Sequence, residues 1–166
     1  MSSAAGPQAQ RAAWIALLAR APLDLLEAGL ADHQTLAVHW LRRPETGLMM
    51  VQARAGGNGA RFNLGEVTVT RATLRLAERS AATAVGVSYV LGRSHRHAEL
   101  AALADALLQL PEQRAAVQRR VLVPVGAWLE QEVRARAART ASTRVDFFTV
   151  ARQAGQGDVD ERDEPN

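Results

Sequence analysis

From Thr35 to Leu91 apolar residues mostly recur at alternate positions, and on both sides of that block they recur at helical spacing. Side chains alternate between faces along a strand but repeat every 3.6 residues along a helix, so the change of period divides the chain into helices, sheet and helices. Trp14, Leu17 and Leu18 share a stripe that predicts a helix from about Gln10 to Arg20. Pro22 can open a short helix, Leu23 to Leu30, with Leu23, Leu26 and Leu30 on one face.

In the central block, Thr35 to Leu41 sets Leu36, Val38 and Trp40 against Thr35, Ala37 and His39, a half-buried strand. Arg43-Pro44-Glu45-Thr46-Gly47 reads as a turn. Leu48 to Arg54 is a second strand, apolar on both faces at its start and therefore expected to be central in its sheet. Gly56, Gly57 and Gly59, with Asn58 among them, predict a hairpin turn, since these residues tolerate positive φ. The third strand, about Phe62 to Leu76, shifts phase from Val67 and Val69 to Ala72, Leu74 and Leu76, which predicts a β-bulge near Thr70 or Arg71. After a turn at Ser80 to Thr83, strand four runs from Ala84 to Leu91 with Val85, Val87, Tyr89 and Leu91 on one face.

Gly92 ends the strands and Ser94 is a candidate N-cap for a helix whose stripe is Leu100, Ala101, Leu103, Ala104, Leu107 and Leu108, stopped by Pro111. Gln113 to Leu122 is a short helical segment, and Pro124 opens a long helix to about Arg139. Glu130–Arg134 and Glu132–Arg136 are acid-first pairs on it, and Ser142 is placed to cap a final segment, Thr143 to Arg152. The expected fold class is α+β, a four-stranded antiparallel meander packed with flanking N- and C-terminal helices. Residues 1–9 read as a disordered N-terminus, 10–152 as one α+β domain, and 153–166 as an acidic flexible tail.

Composition excludes some chemistry. The chain has no cysteine, hence no disulfide, thiol nucleophile or thiolate zinc site. No signal peptide and no run of about 18 apolar residues is seen, so no membrane is expected and the location expected is cytoplasmic. All 20 basic residues are arginine, and the acids crowded after Gly157 leave the body more basic than the overall +3. Such a body favours anionic partners. A stand-alone basic nucleic-acid-binding module is therefore an alternative, and it requires salt-sensitive binding of DNA or RNA by the isolated chain.

The glycine-rich stretch could cradle phosphate through backbone N–H groups, but it lacks the lysine and following serine or threonine of a P-loop and precedes a strand. His95 and His97, two apart at a helix start, fall on nearly opposite faces and make a poor metal pair. Glu45, Glu66, Glu99, Asp105 and Asp146 are solitary, and no serine sits in a nucleophile elbow. No catalytic residue, metal or cofactor is assigned. Arg144, Asp146, Phe147 and Phe148 form a candidate partner-docking segment, because aromatics and arginine are favoured anchors.

Taken in order, Pro44-Glu45-Thr46-Gly47-Leu48, Gln52-Ala53-Arg54-Ala55-Gly56-Gly57-Asn58-Gly59-Ala60-Arg61-Phe62, Thr70-Arg71-Ala72, Val90-Leu91-Gly92-Arg93, His97-Ala98-Glu99 and Ser142-Thr143-Arg144-Val145-Asp146-Phe147-Phe148-Thr149 resemble the PhnG family, a small subunit of the bacterial carbon–phosphorus lyase core complex. The resemblance spans roughly Gln10 to Arg152; the acidic tail and His95 depart from it. It implies a role in phosphonate use, as a subunit associated with PhnI, PhnH and PhnJ and related to PhnL. The reaction it implies displaces adenine from ATP with methylphosphonate, giving α-D-ribose 1-methylphosphonate 5-triphosphate. The resemblance places the nucleosidase chemistry on PhnI and radical C–P cleavage on PhnJ. Nucleic acid is not an expected partner under this reading. Arg54, Gly56, Gly57, Gly59, Arg61, Arg71, Arg93, His97 and Glu99 are then candidates to support an interface or an anionic ligand.

Overall fold

The structure, a computed structural model, describes residues 6–77 and 84–142, and side chains as far as 141. Helices α1 (Pro7–Leu18) and α2 (Leu23–Gly29) and a 3₁₀ turn (Ala31–His33) lead into strands β1 (Val38–Arg54), β2 (Arg61–Leu76) and β3 (Val85–Leu91). Helix α3 (His95–Gln109) follows, then α4 (Pro111–Val117), a π-helical turn (Gln118–Leu122) and α5 (Val123–Ser142). The described strands form one antiparallel sheet in the order β1-β2-β3.

The fold is α+β, but among the described residues three strands carry the sheet where four were expected. Arg43 to Gly47 is not a turn: the chain stays extended, and both expected strands are one long β1 with register breaks between Trp40 and Arg42 and between Arg42 and Glu45. Pro44 is tolerated there because β1 is an edge strand, where a missing N–H leaves no ladder bond unmade. This also corrects the expectation that Leu48–Arg54 is central. The bulge expected near Thr70 or Arg71 lies across the ladder instead. Its extra residues belong to β1, and β2 pairs without a break to β3 from Val69 to Arg75. A third irregularity, between Val51 and Gln52, falls opposite Gly65, whose φ of 154° suits glycine.

Helix α3 is the centre of the core. Ala98 and every residue from Leu100 to Leu108 are buried, as a helix apolar nearly all round requires. The sheet covers one side; α1, α2 and α4 pack on the rest. Ser94 caps α3 as expected, its side chain accepting from the His97 N–H at 3.2 Å. Contact with the sheet is close because the facing residues are small. A Cβ on Gly86 would fall 1.9 Å from the Ala102 carbonyl oxygen, and Ser88 Oγ donates to the Ala98 carbonyl at 2.7 Å. Val90, Leu74 and Ala72 complete this inner face. The alternating set Tyr89 and Leu91 therefore turns outward, 49% and 72% exposed.

Asp105, wholly buried on α3, joins three elements. It receives Arg11 Nε and Nη2 at 3.2 and 2.8 Å, Trp14 Nε1 at 2.8 Å and the Val87 N–H at 2.9 Å. Arg11, whose guanidinium pKa is raised by that bonding, also donates to the Val85 carbonyl, as does Gln109. These bonds cap the open edge of β3.

α1 begins at Pro7, earlier than Gln10, since proline presets φ for a first turn. Leu23 departs from its expected stripe at 37% exposed, while Leu26 and Leu30 are buried. Helix from Pro111 to Ser142 is continuous through the π turn, which precedes Pro124. A proline ring disrupts the bond to the residue four before it, and the wider π turn accommodates this. At that turn α2 crosses: a Cβ on Gly29 would lie 2.6 Å from the Arg120 carbonyl oxygen.

Candidate interaction surface

β3 ends at Leu91 opposite Val69, and Gly92, at φ 95°, turns the chain into α3. Beyond that point β1 and β2 continue without a further strand among the described residues, as a two-stranded arm, Leu48–Arg54 paired with Arg61–Thr68, roughly 24 Å long at about 3.4 Å per residue. Its connection is wider than a two-residue hairpin turn, with Gly56 at φ 57°, Gly57 at φ 82° and the Gly59 N–H donating to the Ala55 carbonyl at 2.9 Å. A Cβ on Gly59 would sit 2.6 Å from that same oxygen, so the glycine is needed for the closure.

Arg54 and Arg61 face each other as the last pair of the ladder. Arg54 Nη1 donates to the Gly59 carbonyl at 3.3 Å, and neither arginine has a carboxylate partner among the described residues. Large apolar side chains stand in solvent along the arm: Leu48 (68% exposed), Met49 (44%), Met50 (49%), Phe62 (46%) and Leu64 (64%).

The base of the arm is polar and tightly bonded. Thr70 Oγ1, buried, donates to the Gly92 carbonyl at 2.7 Å, which obliges Thr46 to donate to Thr70 Oγ1 at 3.0 Å and His95 Nε2 to donate to Thr46 at 3.1 Å. The chain of donors fixes the Nε2–H tautomer of His95. Nearby, Glu45 bonds both Arg42 and Arg71, and these guanidiniums hold its carboxyl below the usual range.

The expected site residues thus fall in two groups. Arg54, Gly56, Gly57, Gly59 and Arg61 gather at the tip, while Arg71, about 30 Å away along β2, and Arg93, just past Gly92, lie at the base. Arg71 is held by Glu45; Arg93 is exposed without an ion-pair partner among the described residues. His97 Nε2 bonds the Leu18 carbonyl at 2.8 Å and ties α3 to α1. Glu99 pairs with Arg96, which also reaches Glu27. Arg144, Asp146, Phe147 and Phe148 lie outside the described residues. No group of three metal-ligating side chains occurs among those described.

Sequence reasoning missed the exposed arm. Its signal was the apolar run Leu48–Val51, which a buried strand produces equally well.

Fold and surface together define a class: a small α+β protein whose sheet projects an apolar, arginine-tipped arm. Residues 9–153 match the family described as phosphonate metabolism protein PhnG. The chain is 46% identical over 145 residues to the alpha-D-ribose 1-methylphosphonate 5-triphosphate synthase subunit PhnG of Rhizobium meliloti (strain 1021), covering 87% of this chain and 90% of the relative. The chain belongs to the PhnG family.

Proposed function

We propose that this chain is a subunit of an α-D-ribose 1-methylphosphonate 5-triphosphate synthase in phosphonate metabolism, and that it supports a PhnI-type subunit in converting ATP and methylphosphonate to that triphosphate and adenine. PhnH-type and PhnJ-type subunits, with PhnL-type related to them, are the further partners in this reading. The observation that carries it is the arm: a long ribbon with large apolar side chains in solvent on both faces suits a chain that works bound to another. The name borne by the relative at 46% identity supports the same reading. Arg54, Arg61, Arg71 and Arg93, with Gly56, Gly57, Gly59, His97 and Glu99, support an interface or an anionic ligand in it. Arg144, Asp146, Phe147 and Phe148 dock a partner.

The test is release of adenine from ATP and methylphosphonate by the purified PhnI-type subunit, with and without this chain. The expected result is turnover that depends on adding the chain. Equal turnover without it overturns the reading, as does salt-sensitive binding of nucleic acid with no association to the PhnI-type subunit.

A further inference from the structure

We propose that the arm inserts into an apolar cleft of the partner subunit, gripped on both faces, and that partner carboxylates meet Arg54 and Arg61 at its tip. This inference rests on the subunit reading above and names where the subunit docks.

Strand alternation places Met49, Val51 and Ala53 with Val67 and Phe62 on one face of the arm. Leu48 and Met50 stand with Thr68 and Glu66 on the other. Neither face is covered by the described residues: the exposures of Met49 and Phe62 on one side, and of Leu48 and Met50 on the other, lie between 44% and 68%. Two-stranded hairpins are marginal in water unless something packs on them. The contrast with β3 is informative. There the fold caps the open edge at Val85 and Val87 with Arg11, Gln109 and Asp105, whereas among the described residues the strands of the arm pair only with each other. A surface protected at one end of a sheet and left apolar at the other marks the second end for association.

Charge selects the occupant. The tip presents two arginines and no acid, and the arm's one carboxylate, Glu66, stands in the middle of β2 opposite Met50. Glu45 at the base is already bonded to Arg42 and Arg71. A second copy of this chain therefore brings two more arginines to the joint and no carboxylate at a matching tip. A different protein, apolar within the cleft and acidic where the tip ends, satisfies both features. Charge pairs across such a joint select the partner, and removing one member of a desolvated pair weakens binding by leaving the other unpaired.

The experiment measures the affinity of the full chain for the PhnI-type subunit. A double variant, Met49→Ser with Phe62→Ser, is expected to weaken binding at least about 100-fold, the loss of two apolar anchors. Arg54→Glu with Arg61→Glu is expected to weaken it about 10- to 100-fold and to reverse the salt dependence. Both variants should melt close to the wild type, since these side chains lie outside the buried core. Amide exchange on the unaltered complex is expected to slow at Leu48–Ala53 and Phe62–Val67. If wild type binds and both variants bind equally well, the arm proposal is overturned while the subunit reading stands. If wild type does not bind at all, the subunit reading itself has failed. An arm-dependent homodimer in sedimentation, persisting with the PhnI-type subunit present, makes the second copy the occupant and overturns the proposal.

Discussion

The carboxylate of Asp105 on α3 receives two nitrogens of Arg11 on α1, at 3.2 and 2.8 Å, across 94 residues of chain. Trp14 Nε1 and the Val87 N–H complete its bonding, so one wholly buried side chain fixes α1, α3 and β3 to one another. Removing it leaves the Trp14 and Val87 N–H donors without a partner and the part-buried Arg11 cation with only the Val85 carbonyl. Asp105→Ala is expected to destabilise by about 3–5 kcal/mol in chemical denaturation. Asp105→Asn, which keeps one acceptor, should cost less; equal stability of wild type and alanine variant refutes the hub.

Gly86 makes the closest approach of sheet to helix. A methyl group there meets the Ala102 carbonyl oxygen at 1.9 Å and the Ala106 nitrogen at 2.9 Å, both backbone atoms that cannot swing aside. Gly86→Ala is expected to cost about 3 kcal/mol or more, read as a fall in thermal midpoint. Gly47→Ala, where a Cβ has open space, is the control and should change little.

The donor chain from His95 through Thr46 and Thr70 to Gly92 ends on a carbonyl, so its direction is set. Thr70→Val removes the central hydroxyl and strands the Gly92 carbonyl, at about 1–2 kcal/mol. Nitrogen chemical shifts of the imidazole are expected to show Nε2–H in the wild type and a mixture of tautomers in the variant.

Glu45 titrates below the ordinary carboxylate range because Arg42 and Arg71 bond its ionised form. A depressed folded-state pKa stabilises the protein above the unfolded value, about 4.3, and that contribution is lost as the pH falls through the folded one. Wild type and Glu45→Gln should therefore differ in thermal midpoint at pH 6 and converge in strong acid. A difference that stays constant from pH 6 to pH 2.5 excludes the ion pairs as its cause.

Much of this architecture was legible in the sequence. The period changes placed the described α-helices and the strand regions; Ser94 was identified as a cap and Leu100, Ala101, Leu103, Ala104, Leu107 and Leu108 as the apolar stripe of α3, while the burial of Ala102, Asp105 and Ala106 was not. The motifs running from Pro44 to Glu99 and again from Ser142 carried the family, to which residues 9–153 match. The tip residues Arg54 and Arg61 were marked, though not that they close a long arm.

Local chemistry is what a sequence determines by itself: glycine at positive φ, proline at a helix start, a serine cap, the period of each segment. Coverage is decided elsewhere. Periodicity says that Val85, Val87, Tyr89 and Leu91 share a face, but Gly86 and Ser88 pack beneath α3, because only small residues admit a helix so close. Leu48 to Val51 read as a buried central strand and proved an exposed edge, since the apolar pattern is the same whether its cover is this chain's own core or another protein's surface. Only the tertiary structure, by ending β3 at Leu91, separates the two.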